Sequence, residues 1–416
     1  MKRNIHRKQI MNFLMLLLCT SLLTGTSFAK ETEIMELDRE GLNLLHYGCT
    51  LTDGRILLHG YRANGEKTAA RLLCLNGDRT VSWDYTDGTA DGGLFTDAAE
   101  LQDGTIGVCF RRDGYMSLRF FTPDGKTARE ETVIPNKGSH TYAANVTGSR
   151  LQLIHEDRVP TGEGFRVENL EVHLIDWDGN EIAELDDYTM LFSGDPMIEE
   201  DDALVMGGYN KSGTFFMKTD LSGNVIWKKT LSCVCPDTVF VTPEIIIRTG
   251  DGGYLAVQAE QIPTSGAFAK YRNVLMKLDG DGNILWTNSE IFAGTTDLIG
   301  DVTAFGGKLA ACFTHFGEDY RSYGIDRPRT IIWFDENGTG LGTAELSMSP
   351  EVNEMLEQYI REQTDGSELM PVGFGGSMVA MQDGLWMPDL ICLVERDTGI
   401  PVPDSYAAVL FKVPEP

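Results

Sequence analysis

Lys218-Thr219-Asp220-Leu221-Ser222-Gly223-Asn224-Val225-Ile226-Trp227 and Lys277-Leu278-Asp279-Gly280-Asp281-Gly282-Asn283-Ile284-Leu285-Trp286 decide the fold. Both read Asp-x-x-Gly-x-x-x-Trp. An Asp opening a tight turn accepts backbone N–H bonds, a Gly three places on supplies a positive φ, and the Trp beyond packs on a neighbouring unit. Degenerate copies stand at Asp176…Gly179, Asp335…Gly338, Thr122…Gly125 and Asn76…Trp83, the last with Arg79 in the Gly place.

An earlier turn accompanies each copy. Asp53-Gly54, Asp103-Gly104, Gly148-Ser149, Asp201-Asp202, Asp251-Gly252, Gly306-Gly307 and Asp383-Gly384 follow one another at steps of 50, 45, 53, 50, 55 and 77 residues. The run after each, such as Thr105 to Arg111 or Tyr254 to Glu260, is rich in β-branched and aromatic residues and reads as a strand. Each unit is therefore strand, tight turn, strand, connection, strand, tight turn, strand, over about 55 residues, which is a propeller blade. The seventh unit stops after its third strand, Ala407 to Lys412, while Thr32 to Leu37 precedes the first unit and can supply the missing outer strand. The pattern predicts an all-β, seven-bladed β-propeller closed by the N-terminal strand, one domain over residues 30–416.

The repeat resembles that of secreted bacterial β-propellers with D-x-x-G-x-x-x-W, quinoprotein-like, blade repeats. The resemblance implies blade packing and nothing about a quinone. Quinoprotein enzymes have eight blades and a dedicated pocket, and no residue here maps onto one, so no cofactor is expected.

Lys2, Arg3, Arg7 and Lys8, an apolar stretch from Phe13 to Leu23, and Ser27-Phe28-Ala29 read as a signal peptide over residues 1–29, cleaved after Ala29. The expected location is extracellular, or periplasmic if the source has an outer membrane. Loss of those four basic residues takes the formal charge from −27 to −31. Such a body repels phosphate backbones and anionic lipid, which argues against nucleic-acid or membrane partners. With 42% hydrophobic and 9% aromatic residues it has the material for a core, and 45 glycines against 15 prolines suit an all-β chain with many turns. A monomer is expected.

Seven cysteines remain after cleavage, an odd number, and most lie in apolar runs such as Gly107 to Phe110 and Leu309 to Phe313, where thiols behave as small core residues. Cys233-Val234-Cys235 is the one close pair. Its spacing suits redox linkage or a partner disulfide better than a metal, which wants more ligands. Asp176-Trp177-Asp178-Gly179-Asn180 and Asp279-Gly280-Asp281-Gly282-Asn283 look like the start of an EF-hand-type calcium loop but lack its distal Glu; they read as plain turns, with weak calcium binding as the alternative. Glu199-Glu200-Asp201-Asp202 reads as solvated charge. His59, His155 and His173 lie in strand runs and read as structural.

Propeller topology puts the first and third turns of every blade on one face and the remaining connections on the other. The first face carries minimal turns. The second carries longer segments, Asp157 to Glu168, Gln261 to Arg272, Phe316 to Arg329 and Asp397 to Tyr406, and long loops are more often functional than scaffolding. A helical insert over about 349–364 falls there too, capped by Ser349-Pro350, with Val352, Met355, Leu356, Tyr359 and Ile360 on one stripe. His315-Phe316-Gly317-Glu318-Asp319-Tyr320-Arg321 mixes acid, base and aromatic groups, which makes His315, Glu318, Asp319, Tyr320 and Arg321 candidate ligand contacts. Blade-entry acids Asp97, Asp195, Asp297 and Asp301 are candidates at the channel mouth, where two carboxylates could serve acid/base chemistry on a sugar. No Ser-His-Asp signature, nucleophile elbow or P-loop occurs. The expectation is a secreted, non-catalytic propeller binding a protein, peptide or glycan through its long-loop face; a glycan-directed hydrolase or lyase and a structural envelope component are the alternatives.

Overall fold

A computed structural model describes residues 34–38, 42–64, 67–88, 92–112, 115–161, 164–185, 197–210, 212–235, 237–264, 270–293, 295, 298–314, 329–346, 369–375, 377–395 and 407–416. Within them the chain forms strands only, arranged in seven antiparallel sheets. Six sheets are built from four consecutive strands, in chain order from the axis outward. Their inner strands are Leu42–Thr50, Leu94–Glu100, His140–Val146, Met197–Glu199, Phe240–Arg248 and Leu298–Phe305. The protein is a seven-bladed β-propeller.

The seventh blade is assembled from both ends of the chain. Leu369–Gly375 and Val379–Met381 pair in succession with Gly384–Glu395, which pairs with Ala407–Lys412. The outer place is taken by Ile34–Asp38, with Ile34 opposite Phe411 and Met35 opposite Leu410. This is the closure that the missing strand predicts, one residue further along than Leu37. The helical insert expected over 349–364 lies outside the described residues.

Middle strands are covered on both sides by neighbouring blades, which explains why they read as continuous apolar runs rather than alternating ones. Ile106 to Phe110 are all buried, whereas the outer strand Val81–Thr86 alternates toward solvent. The core therefore lies between blades. Leu57, Leu72 and Cys74 of blade 1 meet Phe95, Val108, Phe110 and Phe121 of blade 2, and Leu255, Val257 and Leu275 of blade 5 meet Phe313, Ile332 and Phe334 of blade 6.

The turn motif is a link between blades as well as a turn. Asp220 accepts the N–H groups of Ser222 and Asn224 at 2.9 Å each, and Asp279 those of Asp281 and Asn283 at 3.0 and 2.8 Å. Trp227 of blade 4 reaches the next turn, donating its indole N–H to Gly280 O at 3.1 Å and lying where a Cβ on Gly282 would come within 2.6 Å of the ring. Trp83 does the same to Pro123 O and Gly125, and Trp286 covers Gly338. Blade 3 has Ala183 in the Trp place, packed on Gly223.

Three local readings are corrected. Asp157 to Glu168 is no loop: Arg158 pairs with Val167, Val159 with Arg166 and Pro160 with Phe165, so the hairpin of blade 3 continues as a two-stranded ribbon. Its two arms are equal in length and both carry β-branched residues, which lets the ladder run on. In blade 5 pairing likewise extends to Ile262 and Lys270, leaving a shorter connection than Gln261 to Arg272. Glu199 and Glu200 are not solvated charge. Glu199 accepts the Ser149 N–H of blade 3 at 3.0 Å, and Glu200 binds Lys218 and the Tyr254 hydroxyl of blade 5, the latter at 2.8 Å. Neighbouring blades supply donors that the local sequence does not reveal.

Candidate functional site

Antiparallel order fixes what each face carries. The second face receives the inner strands' first residues, the second strands' last residues and the third strands' first residues. Blades 1 to 3 each end or near-end the second strand with arginine, at Arg62, Arg111 with Arg112, and Arg158, and blade 5 begins its third strand Lys270-Tyr271-Arg272. Basic residues thus recur at one face of an acidic molecule.

They combine with aromatic groups across blade boundaries. The Arg111 guanidinium lies 5.6 Å from the ring centroid of Tyr142, on the inner strand of blade 3, and Tyr209 meets Phe240 of blade 5 at 6.2 Å. Arg158 approaches Tyr142 from the base of the ribbon and pairs with buried Glu156. Ser139 fixes that base: its hydroxyl accepts the Arg158 N–H at 2.6 Å and donates to Glu156 O at 3.1 Å. Burial raises the Tyr142 pKa, with nearby Glu156 acting in the same sense and the two arginines against it. The result is a phenol that packs against the blade 3–4 core and is approached by Arg111 and by the Glu156-paired Arg158, a site suited to carboxylate, hydroxyl and aromatic ligand groups.

The channel is lined differently. Asp97 and Asp301 occupy equivalent places, each just after a bulge in the inner strand and each opposite a cysteine, Cys109 and Cys312. Asp97 accepts N–H bonds from Ala98, at 2.8 Å, and from Val146 of blade 3. Asp301 accepts from Met378 N of blade 7 at 2.6 Å and from the Thr303 hydroxyl at 2.9 Å. Both carboxylates therefore join adjacent blades. Each retains some exposure along the channel, but the protein enclosing the rest pushes Asp97 up to about 7 and Asp301 up to about 6. Glu244, at the bulge of blade 5's inner strand, is also raised by burial, against its hydrogen bond from Thr242. It carries no turn or motif signature in the sequence.

The expected histidine roles agree with the structure. His59 donates through Nδ1 to Phe95 O at 3.1 Å and burial lowers it to about 4, while buried His155 bonds Thr141 at 2.7 Å. Of the predicted contacts, Asp97 and Asp301 sit at separate blade junctions; Asp195, Asp297, His315, Glu318, Asp319, Tyr320 and Arg321 lie outside the described residues. Among the described residues no group of three or more His, Cys, Asp or Glu side chains is placed to hold a metal ion. Both Asp176 and Asp279 spend their oxygens on the amides of their own turns. A groove of about 200 Å³ on the rim of blade 2 has its cations engaged: Arg119 with Asp87 and Glu131, Arg129 with Asp178.

No protein-family model matches the chain, and no curated protein matches it. Similar solved structures include a catalytically inactive variant of virginiamycin B lyase from Staphylococcus aureus with quinupristin, at 14% identity and TM-score 0.46, covering 92% of this chain and all of that one. Drosophila Semaphorin 1b, extracellular domains 1-2, is similar at 8% identity and TM-score 0.47 over 93% of this chain and 87% of that one. What those proteins bind or cleave belongs to them.

Proposed function

We propose that this is an exported, non-catalytic binding propeller of the D-x-x-G-x-x-x-W repeat kind, which captures a protein, peptide or glycan on its second face. The observation carrying this is the Arg111, Tyr142 and Arg158 group at the blade 2–3 boundary, which joins an aromatic ring to two arginines on a chain of net charge −27. It favours ligands bearing carboxylates or aromatic rings. The candidates His315, Glu318, Asp319, Tyr320 and Arg321 are proposed as further contacts for the same ligand.

The test is a thermal-shift screen against peptides and glycans, since a specific ligand raises the melting temperature by mass action. For any hit, Arg111→Ala with Tyr142→Ala abolishes the shift, while Lys126→Ala on the opposite face leaves it intact. Retention of the shift in the double variant rejects the Tyr142 site, and the paired variant His315→Ala with Tyr320→Ala tests the blade 6 loop in the same way. A second reading, a glycan hydrolase or lyase in the channel, draws on the raised carboxyls of Asp97 and Asp301. It requires turnover that Asp97→Asn and Asp301→Asn remove. Export predicts a mature N-terminus at Lys30, read by N-terminal sequencing of the secreted protein.

A further inference from the structure

Between blades 4 and 5, on the second face, the chain passes through Ser232-Cys233-Val234-Cys235. This segment is held down by one carboxylate. Glu260, fully buried, accepts the N–H groups of Val234 at 2.6 Å and Cys235 at 3.1 Å, the Thr238 hydroxyl at 2.7 Å and the Gln258 amide at 2.8 Å. Gln258 also donates to Ser232 O at 3.1 Å, and the Thr238 hydroxyl reaches Cys235 O at 2.8 Å. In an extended strand successive N–H groups point to opposite sides. Two consecutive amides on one carboxylate mean that the chain bends at Val234, leaving Cys233 exposed and Cys235 half-buried with its thiol against both Glu260 and Arg272. The bend shortens the separation of residues two apart toward the range that a disulfide spans.

Both thiols are free. Cys233 is exposed, and Cys235 is half-buried with the Arg272 guanidinium against its sulfur and Asp237 3.1 Å beyond. Burial pushes the Cys235 thiol up, Glu260 adding to the effect and Arg272 opposing it. The other described thiols are poor competitors: Cys74, Cys109 and Cys312 are buried, and Cys49 is pushed up to about 12 by burial.

We propose that Cys233-Val234-Cys235 is a thiol–disulfide exchange site that reacts with low-molecular-weight disulfides and closes into a disulfide within the loop. The Cys233 thiolate, its proton lost to water, attacks one sulfur of the small disulfide. The S–S bond breaks, one small thiolate leaves and takes a proton, and a mixed disulfide remains on Cys233. Cys235, deprotonated to solvent beside Arg272, then attacks the Cys233 sulfur and expels the second small thiol. Two cysteine thiols are oxidised, and one disulfide is reduced to two thiols. Arg272 acts on the second step by stabilising the Cys235 thiolate.

Reduced protein is treated with oxidised glutathione under native conditions, alkylated, and mapped by peptide mass spectrometry. The expected result is a peptide spanning Cys233 and Cys235 that is unalkylated and lighter by two hydrogens, with Cys74, Cys109 and Cys312 unmodified until unfolding. Cys235→Ser stops at the glutathione adduct on Cys233, and Arg272→Gln lengthens the life of that adduct several-fold without slowing its formation. Alkylation of both cysteines in the wild type, or a wild-type reaction that ends at the adduct, overturns the proposal.

Discussion

At the scale of single residues, Gly282 and Gly338 in their Asp-x-x-Gly turns answer two demands, a left-handed backbone and room for the indole from the preceding blade. Blade 5 separates them. Gly252 has φ +83° with nothing near its missing Cβ, whereas Gly282 has φ +77° and Trp227 within 2.6 Å. Gly252→Ala should therefore cost about 1–2 kcal/mol, the left-handed penalty, and Gly282→Ala about 1–3 kcal/mol more from overpacking. Urea denaturation measures both, and on a Trp227→Ala background the difference between the two should vanish. The sequence states the first demand openly, because Asp and Gly are turn residues wherever they occur. It states the second only through the spacing to Trp. Arg79 shows the limit of such reading. It holds φ 70° in a Gly place and is kept there by Asp383, 304 residues further along the chain, and by stacking 4.2 Å over Trp386, in the same blade as Asp383.

Among elements, the strands and their order were legible because every blade repeats the same turn chemistry, but what the inner strands do to one another was not. Asp97 and Asp301 read as solvent-facing acids at the channel mouth, and the partners that occupy them, Val146 and Met378, belong to the following blades. Their folded pKa values, about 7 and about 6, lie above the ordinary carboxylate value. The fold therefore prefers them protonated. Stability associated with them is complete below about pH 4 and is lost as pH rises through 6 to 7. Asp97→Asn keeps an oxygen for the Val146 N–H and removes the ionisation. It should flatten the decline between pH 4 and 7 and leave the variant about 1–3 kcal/mol more stable than the wild type at pH 8, as read from denaturation midpoints across that range. An unchanged pH profile would mean that channel water solvates the carboxylate fully. The ribbon of blade 3 was illegible for a different reason: a hairpin arm and a long loop differ in pairing, and pairing is a property of two segments at once.

For the whole molecule, the decisive joint is the one between the two ends of the chain. Ile34–Asp38 covers the free edge of Ala407–Lys412, and blade 1 is latched to blade 7 through Arg79. Deleting residues 30–38 should lower the melting temperature by more than about 5 °C and leave an open strand edge that pairs between copies, visible as dimers in size-exclusion chromatography. A variant that melts normally as a monomer would show that the other six blades hold the ring unaided. The closure also sets which face the two described ends of the chain share. The third strand of blade 7 runs toward the face of tight turns, and Ile34 lies opposite Phe411 near its end, while Pro414 O takes the Trp333 indole N–H and Pro416 packs on Gly342, on blade 6. The described residues 34 and 416 therefore both lie toward the turn face. Arg111, Tyr142, the ribbon and the Cys233 loop stand on the opposite face, so a partner seated on them leaves the joint between the two chain ends uncovered.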